Sequence, residues 1–447
     1  MFIPGSSYRR GPRPYATIGL IIANVIVYIY TSYQNFLLES TPQAVYSLGF
    51  TPYLLLANPR VGVLRIFTSM FTHADILHIF FNMYFLYLFG YSVENYLGRA
   101  RYLTLYFASG VSASLFHLAF SSVSDWSLLI TPAVGASGAI SGVLGAYLIL
   151  FPNTKMSMCT IIILIPLCFP ITAYAFMILW FALQVIYGYF TSTTIATFAH
   201  VGGFLTGILL TWLVARTATL ETRQTTGMSL PEILGSLGIV FKGRRGLGKW
   251  AKGILIALII AVLLGYSYGA LNTVAQSPSA YIVNVNANDQ SDQLLMVVYS
   301  GSVYITTSQV DAVRILVNRL QDVFFYDKTG ANSVRNLQET YMTTVSGVIV
   351  PVELNAEVKY DQTGILESAS GVMVSRVVNV NPYTGASTIG PSIRITFSMG
   401  SSAISGFYTV ALLDVFASAI SALTIIAVLK AEEASALGEE ISQLPFI

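Results

Sequence analysis

Charge is what this sequence has least of. Asp, Glu, Lys and Arg together supply 10% of its 447 residues, against about 25% in an ordinary soluble domain. From Met156 to Ala215 none of the four occurs. With 54% hydrophobic residues, this excludes a wholly soluble chain and puts much of it in lipid. Cysteine is nearly absent: Cys159 and Cys168 both fall in an apolar stretch, so no disulfide framework is implied. There is no His-Glu-x-x-His, and no pair of aspartates in the first six candidate spans. Metallo and aspartyl intramembrane proteolysis are thereby disfavoured, and no metal, cofactor or nucleic-acid partner is expected. No internal repeat is visible.

What is present is a series of apolar runs. A span needs about 20 apolar residues, and candidates lie near 15–32, 74–92, 102–120, 135–151, 171–190, 196–215, 253–271 and 407–429. The uncharged stretch from Met156 is too long for one helix. Pro166 and Pro170 read as an irregular surface segment, followed by two helices joined at the polar run Thr191–Thr194. The chain opens on a basic arm (Arg9, Arg10, Arg13) that runs into a full span, unlike a cleavable signal peptide. With the N-terminus inside, Arg99, Arg101, Lys155, Arg216, Arg223, Lys242, Arg244, Arg245, Lys249, Lys252 and Lys430 all fall on the inner side. The expected localisation is a multi-pass protein of a prokaryotic cell membrane with a cytoplasmic N-terminus.

The expected fold is an all-α polytopic membrane protein: a six-helix core at 1–216, a basic cytoplasmic linker at 217–252, a seventh span at 253–275, an extracytoplasmic α+β domain at 276–405, an eighth span at 406–430 and a cytoplasmic tail at 431–447. The linker reads as a positive-inside loop, with contact to anionic headgroups as the alternative. In 276–405 the alternating runs Tyr281–Asn286, Leu294–Tyr304 and Ile393–Phe397 predict strands. Val310, Val313, Val317, Leu320 and Phe324 predict one helix, opened by a capping box of Ser308 and Asp311.

Polar groups inside spans are costly, so each asks for a reason. His73, His78 and Asn82 lie at the outer start of the second span, with His78 and Asn82 on one helix face. Ser137, in Gly135-Ala136-Ser137-Gly138, opens the fourth, and His200 lies a few residues into the sixth. In this topology even-numbered spans enter from the outer face, so all three groups sit at one shallow depth. Serine becomes a nucleophile when a base takes its proton, and histidine is the usual base. The tetrahedral intermediate needs donors, and Asn82, His78 and the Ser137 N–H suit if the second and fourth spans touch. No acid near His200 is evident, so a two-residue dyad is the simpler reading. Gly138, Gly142 and Gly145 mark one side of the fourth span, and Gly203 and Gly207 mark the sixth. Small residues so spaced let helix backbones approach closely.

The stretch Arg65 to His73 leads into His78 to Asn82, then Glu94 to Gly98 followed by Arg101 and Tyr102, then Gly135-Ala136-Ser137-Gly138, then Ala199-His200-Val201-Gly202-Gly203 with Gly207. In this order and spacing the residues resemble the rhomboid intramembrane proteases, over roughly 15–216. The resemblance implies Ser137 as nucleophile and His200 as its general base. His78 and Asn82 would line the oxyanion site, and Gly135 would shape the loop before the serine. It also implies cleavage of transmembrane protein substrates near the outer leaflet of the bilayer, without metal or cofactor. The minimal six-span core of the family has no counterpart of the two further spans and the outer domain, whose partner is unknown. Two other classes remain: a non-proteolytic rhomboid-like protein that binds membrane helices, and a solute transporter, which the near absence of charge disfavours.

His73 and His78 as metal ligands would sit about 140° apart on a helix with no third ligand, so a loop-anchoring His73 is the better reading. His117 reads as a packing or interfacial histidine. Asp414, inside the last span, is expected to bond a neighbouring span or water. Trp180 and Phe181 fit either a lateral gate or packing.

Overall fold

The structure is a computed structural model that describes residues 3–4, 13–124, 126–162, 165–191, 196–225, 246–276, 279–299, 302–306, 308, 310–320, 322–380, 387–404 and 408–431. Arg9 and Arg10, residues 192–195 of the polar run, 226–245 of the linker and the tail from 432 lie outside the described residues, as do the side chains of Cys159 and Cys168. The chain divides into two compact units, one of residues 1–55, 59–272 and 410–447, the other of 56–58 and 273–409.

Among the described residues, seven helices are long and apolar enough to cross a membrane. The first, α1 (Tyr15–Ser32), is followed by the short helices α2 (Pro42–Leu48), α3 (Tyr53–Ala57) and α4 (Pro59–Ser69). Then come α5 (Ile76–Leu97), α6 (Arg99–Ala119), α7 (Ser137–Leu150), α8 (Ala173–Phe190), α9 (Thr197–Thr225) and α10 (Lys249–Gln276). At 14 residues, α7 is shorter than the seven. It is also the helix most enclosed by protein: every residue from Gly138 to Leu150 is buried, between α5, α6 and α9. Helix α9 runs to Thr225, into the segment expected as linker, and α10 starts at Lys249.

Local chemistry sets the ends that matter. The Asp75 carboxylate caps α5, accepting from the N–H groups of Leu77 at 3.0 Å and His78 at 2.9 Å. The helix stops at Gly98, whose φ of 78° favours glycine. Near that end the buried Glu94 accepts from the N–H groups of Ala16 (2.9 Å) and Thr17 (2.8 Å) and from the Thr17 hydroxyl (2.8 Å). A carboxylate thus satisfies the orphan donors at the start of α1 and ties it to α5.

The stretch expected to be irregular is instead a hairpin, β2 (Lys155–Ile162) with β3 (Ile165–Thr172), joined on the β2 side by β1 (Ile3–Pro4). Pro166 and Pro170 both lie in β3, an edge strand, where a missing N–H need break no ladder. The second unit is β-rich. A seven-stranded antiparallel sheet has the order β6-β5-β4-β10-β9-β8-β7, from β4 (Ser279–Ala287), β5 (Gln290–Tyr299), β6 (Ser302–Ile305), β7 (Val334–Val345), β8 (Val348–Tyr360), β9 (Leu366–Val380) and β10 (Ser387–Ala403). The all-α description therefore fits the membrane helices and not the chain. Two hairpins close on two residues of positive φ, Asn288-Asp289 and Ser346-Gly347, the geometry that matches strand twist. Helices α11 (Asp311–Arg319) and α12 (Asp322–Phe325) share a core with the sheet, where Val313, Leu316 and Phe324 meet Val285, Met296, Val352 and Phe397. The expected single helix is broken before Phe324, and its capping box is not formed. The Ser308 hydroxyl instead donates to Asp292 at 2.5 Å and accepts from Val310 N–H.

The last span, α13 (Thr409–Leu429), packs with α10 on the helices of the first unit. The Tyr266 hydroxyl donates to Phe116 O at 2.9 Å, and the Thr424 hydroxyl, which donates to Ile420 O in its own helix, lies 3.3 Å from Leu205 O. Asp414 is fully buried, and its Oδ2 accepts from the Ser122 hydroxyl at 2.7 Å, a neighbouring-element bond as expected. Removing a donor from a buried carboxyl costs about 1–3 kcal/mol. Ser122→Ala is therefore expected to lower the thermal unfolding midpoint of the solubilised protein, and Ser122→Thr, which keeps the hydroxyl, to lower it less. Equal midpoints for wild type and Ser122→Ala would show that this bond does not secure α13.

Candidate active site

The fourth-helix and sixth-helix glycines determine how closely α7 and α9 approach. A methyl group built on Gly203 would overlap Gly138 O, one on Gly207 would overlap Gly142 O, and one on Gly145 would overlap Phe204 O. Contacts advance along both helices in the same direction, so α7 and α9 run parallel with their N-terminal ends together. Ser137 is the first residue of α7 and His200 the fourth of α9. This close approach lets a short side chain reach its partner: Ser137 Oγ lies 2.8 Å from His200 Nε2. Both residues are half-buried.

The loop before Ser137 is held at several points. Phe50 and Ala133 exchange backbone hydrogen bonds at 2.9 and 2.8 Å, and Gly135 N–H donates to Ser69 O at 2.9 Å. Ala136 N–H donates to His73 Nε2 at 3.4 Å, so His73 anchors this loop. Gly135 has a φ of 121°, which favours glycine. A Cβ there would lie 2.6 Å from His78 Nε2 and 3.6 Å from Ser137 Oγ. The His78 ring and the serine hydroxyl thus border one small space, kept open because residue 135 has no side chain. The first N–H groups of a helix lack intrahelical acceptors, so the Ser137 N–H is available at the same end of α7.

Asn82 is less directly disposed. Its Nδ2 donates to His78 O one turn back at 2.9 Å, and the residue is buried. The amide keeps a second N–H. His117 is buried on α6, consistent with packing. Phe181 is fully buried and stacks on Phe204, centroids 4.8 Å apart, which makes it packing rather than gate. Trp180 is half-buried with its ring 6.1 Å from the His200 ring. Among the described residues no group of three His, Cys, Asp or Glu side chains could hold a metal ion.

One residue at this site escaped the sequence reading. Gln184 Oε1 lies 2.8 Å from His200 Nδ1. The residue beside the base is a neutral amide and not an acid. The signal was available: Gln184 carries the one side-chain amide of the apolar helix α8, four residues after Trp180.

Residues 60–217 match the family model described as Rhomboid domain. The chain is 31% identical over 172 residues to Rhomboid protein 1, mitochondrial, of Saccharomyces cerevisiae, covering 37% of this chain and 46% of that protein. It is 28% identical over 226 residues to Rhomboid protease GluP of Bacillus subtilis, covering 49% and 34%. It is 30% identical over 141 residues to Rhomboid protease AarA of Providencia stuartii, covering 30% and 50%. The matched segments thus span half the length of these relatives or less.

Proposed function

This chain is a rhomboid family membrane protein, and from that premise we propose that it is an intramembrane serine endopeptidase that cuts transmembrane substrate helices near the outer leaflet. The observation that carries the reading is the 2.8 Å contact between Ser137 Oγ and His200 Nε2, at the same end of two helices in backbone contact. Two of the three similar proteins named above bear the name protease.

Ser137 Oγ attacks the scissile carbonyl carbon while its proton passes to His200 Nε2. The carbonyl electron pair becomes an oxyanion, for which the Ser137 N–H and the His78 ring beside it are the proposed donors, with the second N–H of Asn82 as a third candidate. The intermediate collapses, the peptide C–N bond breaks, and His200 gives the proton to the leaving amine. Water then attacks the acyl-enzyme by the same route, and Ser137 regains its proton. A hydrogen-bonded helix shields its carbonyls, so substrates with helix-weakening residues near the outer leaflet are the expected class. In this reading α7 is a short span of its own, giving eight spans with a cytoplasmic N-terminus in a prokaryotic cell membrane. The β-rich unit then lies outside the membrane.

The test is incubation of the purified chain in lipid vesicles with a model transmembrane substrate carrying glycines at one end of its span. Products whose masses place the cut within the outer-leaflet half are expected. A folded protein that binds this substrate and leaves it whole would favour a membrane-helix binding protein.

A further inference from the structure

We propose that Gln184 is a positioning residue that selects the working tautomer of His200; the proposal rests on the reading of Ser137 and His200 as nucleophile and base. An imidazole ring has two nitrogens, and a neutral ring carries its proton on one of them. For His200 to take a proton from Ser137, Nε2 must present a lone pair, so the proton must sit on Nδ1. Gln184 Oε1, 2.8 Å from Nδ1, is an acceptor for that proton. With Nδ1–H donating to the amide oxygen, Nε2 faces Ser137 Oγ as an acceptor at 2.8 Å.

The packing around this amide favours a fixed role. Polar side chains within a span are costly and call for a partner. Phe181, three residues before Gln184, stacks on Phe204, four residues after His200, so α8 and α9 are locked in register where the bond forms. Trp180, one turn before Gln184, leans toward the His200 ring at an interplanar angle of 38°. Two α8 side chains therefore adjoin one ring, Gln184 bonded at Nδ1 and Trp180 tilted beside it.

The chemistry of the partner has a consequence. When His200 takes the serine proton it becomes a cation, and its Nδ1–H bond strengthens. A neutral amide stabilises that cation less than a carboxylate does. Gln184 supplies orientation and tautomer with only part of the electrostatic help that an acid gives in a full triad.

The experiment uses the full chain with Gln184→Met and Gln184→Glu. Gln184→Met keeps the length and removes the acceptor. It is expected to lower kcat and the rate of labelling by a fluorophosphonate roughly 10- to 100-fold, less than the roughly 100- to 10⁴-fold worth of a whole general base, because His200 itself remains. KM should stay within about twofold, because the bond acts in the chemical step. The nitrogen NMR spectrum of ring-labelled His200 should report an Nδ1–H tautomer in wild type and a shift toward Nε2–H in the Met variant. Gln184→Glu keeps an acceptor oxygen and should recover labelling to within a few fold of wild type. An Nε2–H tautomer in wild type, or a Met variant that labels at the wild-type rate, would overturn the proposal. If wild type neither labels nor cleaves, the protease reading fails, while the tautomer still reports on the Gln184–His200 bond by itself.

Discussion

Replacing Ser137 by alanine is expected to lower cleavage of a transmembrane substrate by roughly 10⁴- to 10⁶-fold, the loss typical when a serine nucleophile is removed. In a gel assay that is background. The loss follows from chemistry and not from folding. The variant gives up one half-buried contact to His200 Nε2, about 0.5–1.5 kcal/mol, while the thirteen residues behind it on α7 stay buried. Its thermal unfolding should therefore match wild type closely. His200→Ala should cause a comparable loss, and the double variant should be little worse than either. Groups that act as one unit are not additive. Losses that multiply in the double variant would show that the two residues act separately, against the account.

The second large effect is expected at a residue with no chemistry of its own. Gly203 on α9 faces Gly138 O on α7, and even a methyl group there would overlap that oxygen. Gly203→Leu must push the helices apart or unfold part of the contact, a cost of about 1–3 kcal/mol for overpacking. The same displacement separates Ser137 from His200, and a misplacement of about 1 Å costs on the order of 100-fold in rate. Cleavage should thus fall at least about 100-fold even where the variant remains folded at low temperature. Gly19→Leu is the control, since a Cβ at Gly19 meets nothing within 4 Å and should leave both measurements near wild type. Full activity in Gly203→Leu would mean that close approach of α7 and α9 is not what brings the pair together.

The membrane helices and the polar residues among them were legible because lipid makes the rule simple. A charge-free run marks a span, and each exception stands out. Ser137, His200, His78 and Gly135 come together in the structure for reasons already present in glycine spacing and depth. Gln184 was not legible, because an amide in an apolar helix looks like a tolerated exception until its partner on another helix is known. The hairpin at 155–172 was hidden by Pro166 and Pro170, which argue against strand unless the strand is an edge. Strands β7, β8 and β9 were missed as well. In β8 the signal was present and was passed over: Val352, Leu354, Ala356, Val358 and Tyr360 are buried and alternate with the exposed Glu353, Asn355, Glu357 and Lys359. The absent capping box is a tertiary override: Ser308 finds Asp292 on β5, and a local pattern cannot foresee that.

The central claim is that His200 activates Ser137 as a nucleophile. The most direct measurement is reaction of the purified full chain with a fluorophosphonate probe, followed by peptide mass spectrometry of the labelled protein. One adduct is expected, on Ser137, absent from Ser137→Ala and lost or greatly slowed in His200→Ala. An adduct on another serine, or labelling of Ser137 at an unchanged rate without His200, would contradict the account.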